Sequence, residues 1–246
     1  MISVTKCSRL ATIAIGLGSA ACTGIGSEVG IQANDELPAI VADYRTDQHG
    51  FITNNTDLAD TAKALAIVEN ALGAGAFERY RLAASAPGNF TDKEQQQILH
   101  VIVNRKVTAA SKEIIPSILV VFQDENPVTQ FVPDKASYID IESVFDVDDD
   151  GLHEVLLTAA AYQMGTLFIV ADVYGFNESG SLLKQEMGVV YTNSCEVETL
   201  DGREIRASVL STGNENDKLV VKTYQSLCTK NGEPVGIESF TATPLH

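Results

Sequence analysis

The residues best suited to chemistry lie close together. From Phe145 to Glu154 the chain reads FDVDDDGLHE, with Asp146, Asp148 and Asp150 at alternate positions, Gly151 next, and Glu154 closing the run. Alternate carboxylates in a tight turn point inward. Two carboxylates about 4 Å apart repel by ~4 kcal/mol at an effective dielectric of 20, so such a turn opens unless a cation sits among them. A hard ion with flexible coordination suits these ligands, and calcium accepts roughly six to eight oxygens in variable geometry. In this reading Asp146, Asp148 and Asp150 supply side-chain oxygens, Leu152 its carbonyl, and Glu154 an oxygen directly or through water. Gly151 supplies backbone freedom where the turn is sharpest.

Other chemistry is sparse. There is no phosphate-binding loop, dinucleotide fingerprint or Gly-x-Ser-x-Gly turn. The histidines His49, His100, His153 and His246 are scattered without ligand spacing; His100 reads as a strand residue and His153 as a solvated loop residue. Tyr162, Phe168, Tyr174 and Tyr191 read as core side chains. The acids are too many to single out one acid/base couple.

The acidic turn needs strands to hold it. Tyr138 to Phe145 precedes it and Glu154 to Tyr162 follows, both rich in apolar and β-branched residues. Similar short runs occur at 98–103, 117–122, 128–132, 166–174, 187–192, 204–210 and 218–227, punctuated by turn residues at 124–127, 201–202 and 214–217. This pattern predicts a mainly β domain over 92–246, with antiparallel sheets forming a sandwich or a partial propeller. Before it, 56–86 reads as a short helical segment: Leu58, Ala62, Leu65, Ala66, Val68 and Leu72 keep helical spacing, Gly73 and Gly75 stop it, and 77–84 continues as a second short helix. Residues 22–55 are polar and aperiodic and read as a tether, reaching about 30 Å if flexible. The alternative for Pro38 to Tyr44 is a strand or short helix packed on the domain.

With the loop set between strands, the Asp146–Glu154 motif resembles the calcium loops of FG-GAP/VCBS-type β-propeller repeats, often written D-x-D-G-D-G-x-x-D. Asp149 stands where that pattern has its middle glycine, and Glu154 where it has its last aspartate. An EF-hand is excluded, because its twelfth position requires a bidentate glutamate and Leu157 stands there. The resemblance covers one motif copy within Tyr138 to Tyr174. It implies a calcium-stabilised β domain of the kind found on exported and surface proteins. It implies no activity.

The first residues read as an address. Lys6 and Arg9 precede a short apolar core at 10–17 and small residues at 18–21, so 1–21 is expected to be a signal peptide. Ser19-Ala20-Ala21-Cys22 resembles the lipobox of bacterial lipoproteins, which implies acylation of Cys22; Ser19 and Ala21 also suit ordinary signal-peptidase cleavage. Cleavage before Cys22 leaves Cys22, Cys195 and Cys228. In an exported chain Cys195 and Cys228 are expected to pair, and a lipid on Cys22 accounts for the odd cysteine.

The chain has 246 residues and a formal net charge of −16, with no basic run. Phosphate binding needs clustered Lys and Arg, so nucleic acid is excluded as a partner. No apolar stretch is long enough to span a bilayer. The functional expectation is an exported, lipid-anchored protein of the bacterial envelope: a non-enzymatic binding module with one structural calcium, held to the membrane through Cys22 and facing an envelope protein or glycan. The alternatives are an envelope hydrolase acting on glycans or peptides with a structural calcium, and a structural envelope protein.

Overall fold

The computed structural model describes residues 39–45, 62–108, 114–133, 136–177, 180–197, 203–213, 218–229 and 241–243. All belong to one compact unit, Leu37–His246. The signal segment and Cys22 lie outside the described residues.

The expected class is found: antiparallel sheets dominate and the helical content is small. Strands β2 (Tyr80–Gly88), β3 (Gln97–Asn104), β4 (Ile118–Gln123) and β5 (Asn126–Phe131) form a four-stranded sheet in sequence order. Strands β6 (Asp140–Phe145), β7 (Glu154–Gln163), β8 (Thr166–Asn177), β9 (Gly180–Asn193), β10 (Glu204–Thr212), β11 (Leu219–Leu227) and β12 (Thr241–Thr243) follow one another across a second sheet. Its remaining strand is β1 (Ile40–Asp43), which lies within the stretch read as a tether and takes the alternative read for Pro38–Tyr44. One edge of β10 is shared, Ile205–Ala207 pairing with β9 and Val209–Ser211 with β1. Because β1 also touches β6, the eight-stranded sheet nearly closes on itself like a barrel. Three register shifts along β8 and β9 help it curl, since each bulge adds local twist.

Alternation along β7 and β8 explains the layering. Val155, Leu157, Ala159, Tyr174 and Phe176 face the smaller sheet and pack on Leu99, Val101, Leu119 and Val121. Leu156, Ile169, Ala171 and Val173 point the other way and pack with Tyr44, Ala207 and Leu210 in a second core. Strands buried on both faces read as nearly continuous apolar runs.

The outer face of the small sheet is covered by helix α1 (Ala62–Leu72), whose Ala64, Ile67 and Val68 pack on Leu82, Ile102, Val120 and Phe122. Leu65 and Ala66, read as part of the apolar stripe, are exposed. Gly73 ends the helix as expected: at φ 96° it returns its N–H to the Glu69 carbonyl at 2.8 Å.

Residues 77–84 do not form the second helix expected of them. A short 3-10 turn, Ala76–Glu78, leads directly into β2, not into a second helix. The alanines favour helix locally, but pairing with β3 and the burial of Leu82, Ala83 and Ala84 override that preference. Pro87 and Pro127 sit on β2 and β5, the two edge strands of the small sheet, where a missing N–H is tolerated. The turn read at 124–127 joins β4 to β5, with Asp124 and Glu125 both at positive φ, the twist a two-residue hairpin requires.

Cys195 and Cys228 are bonded, with Cα atoms 5.5 Å apart and a sequence separation of 33. They follow β9 and β11, so the bond ties these strands together across β10.

Candidate metal centre

The acidic loop leaves β6 at Phe145 and enters β7 at Glu154, two residues paired across the ladder. Strand pairing thus fixes both ends. Between them, the carboxylates organise the turn. Asp146 reaches forward to accept the Asp150 N–H on Oδ1 at 3.1 Å and the Gly151 N–H on Oδ2 at 2.8 Å. Asp148 Oδ1 accepts from Asp150 N at 3.3 Å, and Asp150 Oδ1 from Leu152 N at 2.7 Å. Glu154 turns back to accept the Val147 N–H on Oε2 at 3.0 Å. Asp149 and Gly151 adopt left-handed backbone, φ 54° and 86°, and aspartate is among the few side chains that tolerate it.

Asp146, Asp148 and Glu154 each bring one carboxylate oxygen within 4.8 Å of the others, a group that can hold a metal ion. Asp150 stands outside that radius, exposed, its carboxylate bent onto the Leu152 N–H. Leu152 is half-buried within the loop. Glu154 is the anchor, 2% exposed. Burial pushes its carboxyl above the usual range; the Val147 N–H opposes this, Asp148 adds to it, and Lys184 opposes it. All the ligand atoms are hard oxygens, which suit magnesium, calcium or manganese rather than thiolate- or imidazole-seeking metals.

Two lysines approach the loop, and neither was readable from the motif. Lys184 Nζ on β9 lies 3.5 Å from Asp148 Oδ2 and 3.7 Å from Glu154 Oε1. Both distances exceed the ~2.8 Å of a tight charge-assisted hydrogen bond, so the ammonium is a loose counterion. Gly175 on β8 makes room for it: a Cβ there would stand 2.6 Å from Lys184 Cε and 3.4 Å from Glu154 Oε1. Lys93 donates to the Asp150 carbonyl, and its stem lies over Gly151.

His153 differs from its reading as a solvated residue. It is half-buried, with its N–H on the Asn89 carbonyl at 2.8 Å and its Nδ1 accepting the Asn89 N–H at 3.1 Å. This pair of bonds fastens the loop to the segment after β2. Of the aromatics read as core, Tyr174 is buried, whereas Tyr162 is exposed and donates to Glu196 Oε2 at 3.1 Å.

No family model, curated protein or solved structure matches this chain. The chemistry of the loop therefore rests on its donor set. Asp146 and Glu154 already hold backbone N–H groups, yet each carboxylate oxygen has two lone pairs, and among the described residues Asp148 Oδ2 and Glu154 Oε1 face a loosely placed ammonium. The residues fit a hard cation.

Proposed function

We propose that the chain is an exported, lipid-anchored envelope protein that works as a binding module, with one structural calcium in the β6–β7 loop. The convergence of Asp146, Asp148 and Glu154 at the join between two core strands carries this reading. A cation there neutralises repulsion between carboxylates and locks the loop that positions β6 against β7. Calcium is favoured over magnesium because the ligands come from a bent loop with mixed backbone bonds, and magnesium demands near-ideal octahedral geometry.

The Cys195–Cys228 bond supports an oxidising compartment. With those two paired and the segment before Cys22 removed, Cys22 is the cysteine left for acylation, and its acyl chains would hold the domain at a membrane face. The partner is an envelope protein or glycan. A cleft on the domain has largely apolar walls and no carboxylate in its lining, which supports a binding module over a glycan hydrolase working through paired carboxylates.

Two measurements test this reading. Calorimetric titration of the purified protein gives one calcium site, with magnesium at least tenfold weaker; no calcium heat contradicts the metal assignment. Mass spectrometry of the membrane fraction finds acyl chains on Cys22; an unmodified Cys22, or cleavage elsewhere, contradicts the anchor.

A further inference from the structure

A second site lies on the opposite side of the small sheet from its main core, where α1 stops covering it. Strand β2 carries a one-residue register shift between Leu82 and Ala84. Side chains alternate along a strand, so an unbroken β2 would turn Ser85 away from the face that Leu82 occupies. The bulge restores it, and Ser85 stands directly opposite His100 of β3 on the helix side. Ser85 Oγ and His100 Nδ1 are 2.7 Å apart. His100 is only 4% exposed, with its ring edge-on to Phe122 at 5.0 Å. Burial, with Lys63 adding to it, lowers the His100 pKa to about 4, so the ring is neutral at ordinary pH. With its proton on Nδ1 the ring donates to Ser85, and the serine hydroxyl is then free to donate outward.

This pair lines a cleft of about 290 Å³. Its walls are mainly apolar, built by Ile67 of α1, Leu82 and Pro87 of β2, and Ile98 of β3, which is left 40% exposed. Lys63 is the cation in the lining, and no described acid lies within ion-pair distance of it. An apolar cleft with a few convergent polar groups is the usual form of a small-molecule site. At the ~30 Å³ that a water occupies in the liquid, the cleft holds about ten non-hydrogen atoms.

We propose that this cleft binds a medium-chain monocarboxylate, its chain against Ile67, Leu82 and Ile98 and its carboxylate taken by the Lys63 ammonium and the Ser85 hydroxyl. The inference uses neither the acidic loop nor its metal, so it stands or falls apart from the calcium reading.

Octanoate, with its ten non-hydrogen atoms, is the probe. Titrated into the full protein and followed by calorimetry and by the His100 ring signals, it binds at one saturable site with a Kd on the order of 1 mM or tighter. Methyl octanoate, which has the chain without the charge, binds several-fold more weakly. Lys63→Gln weakens octanoate roughly three- to tenfold and leaves the ester unaffected. Ile98→Trp changes an exposed position and fills the cleft, so it abolishes both ligands while the melting temperature holds. Absence of saturation up to about 10 mM, equal affinity for acid and ester, or undiminished binding in a folded Ile98→Trp protein would overturn the proposal.

Discussion

Lys184 and Glu154 meet over Gly175. Their strands, β9 and β7, are separated by β8 alone, and the ammonium stands 3.7 Å from Glu154 Oε1 because Gly175 has no side chain to intervene. A buried carboxylate with two other acids near it needs positive charge, and this lysine is the protein's own supply. A bound cation would compete with it for the same oxygens.

Replacing Lys184 with Met therefore separates the two roles. Without added metal the variant loses stability, by no more than about 1 kcal/mol for a partly exposed pair. Calcium binding tightens roughly three- to fivefold, because a competing charge is gone. Urea unfolding in chelator and calcium titration read the two effects. Weaker calcium binding in the variant would show that Lys184 supports the site.

Asp146 and Asp148 differ in what they hold. Asp146 fixes the Asp150 and Gly151 N–H groups, whereas Asp148 makes one long bond to Asp150 N and faces Lys184. Asp146→Ala thus costs about 1–2 kcal/mol even without metal, comparable to losing a cap. Asp148→Ala costs a few tenths of that without metal but removes the calcium-dependent gain. Equal losses in chelator would mean that the hydrogen bonds do not organise the loop.

Much of this fold is legible in the sequence, through burial and residue type. Stretches such as Leu99–Val103 and Leu119–Phe122 are buried on both faces and so appear as nearly continuous apolar runs. Asp146, Asp148, Glu154 and the Cys195–Cys228 pair are marked by residue type alone. Strand β2 was hidden because its Leu82-Ala83-Ala84 stretch favours helix locally, and the strand is imposed by β3, a partner outside any local window. Lys184 and Gly175 join the acidic loop only through the β7–β8–β9 order. The Ser85–His100 pair depends on a bulge that no local signal announced.

Asp172 makes stability depend on pH. It is buried between the sheets, accepting from the Tyr138 hydroxyl and, at 3.0 Å, from the Met187 N–H. Burial raises its pKa above 3.8; the Tyr138 and Met187 bonds oppose the rise and Glu186 adds to it. A carboxyl whose folded pKa exceeds its unfolded value binds more protons in the native state. Its contribution to stability is therefore lost as pH rises from about 3.8 through the folded pKa. Urea midpoints measured across this range fall with rising pH in the parent protein, beyond what other groups contribute. Asp172→Asn removes that part of the slope. An unchanged slope would place the titration elsewhere.

The disulfide closes a 33-residue separation across β10. In the chain-entropy account this is worth ~3–4 kcal/mol. The Cys195→Ser, Cys228→Ser double variant unfolds at correspondingly lower urea, with the calcium affinity of the distant loop unchanged. A loss below about 1 kcal/mol would contradict a stapling role.

We propose that a calcium ion completes the Asp146–Glu154 loop. The direct measurement is thermal melting of the purified protein and of Asp148→Asn, each with excess calcium, with magnesium and with chelator. At a hundred times its dissociation constant calcium should stabilise the parent by ~2.7 kcal/mol, a shift of several degrees, with a smaller shift for magnesium and none in Asp148→Asn. Identical melting in calcium and chelator would contradict this and mean that the Asp148 and Glu154 carboxylates are served by Lys184 without a metal.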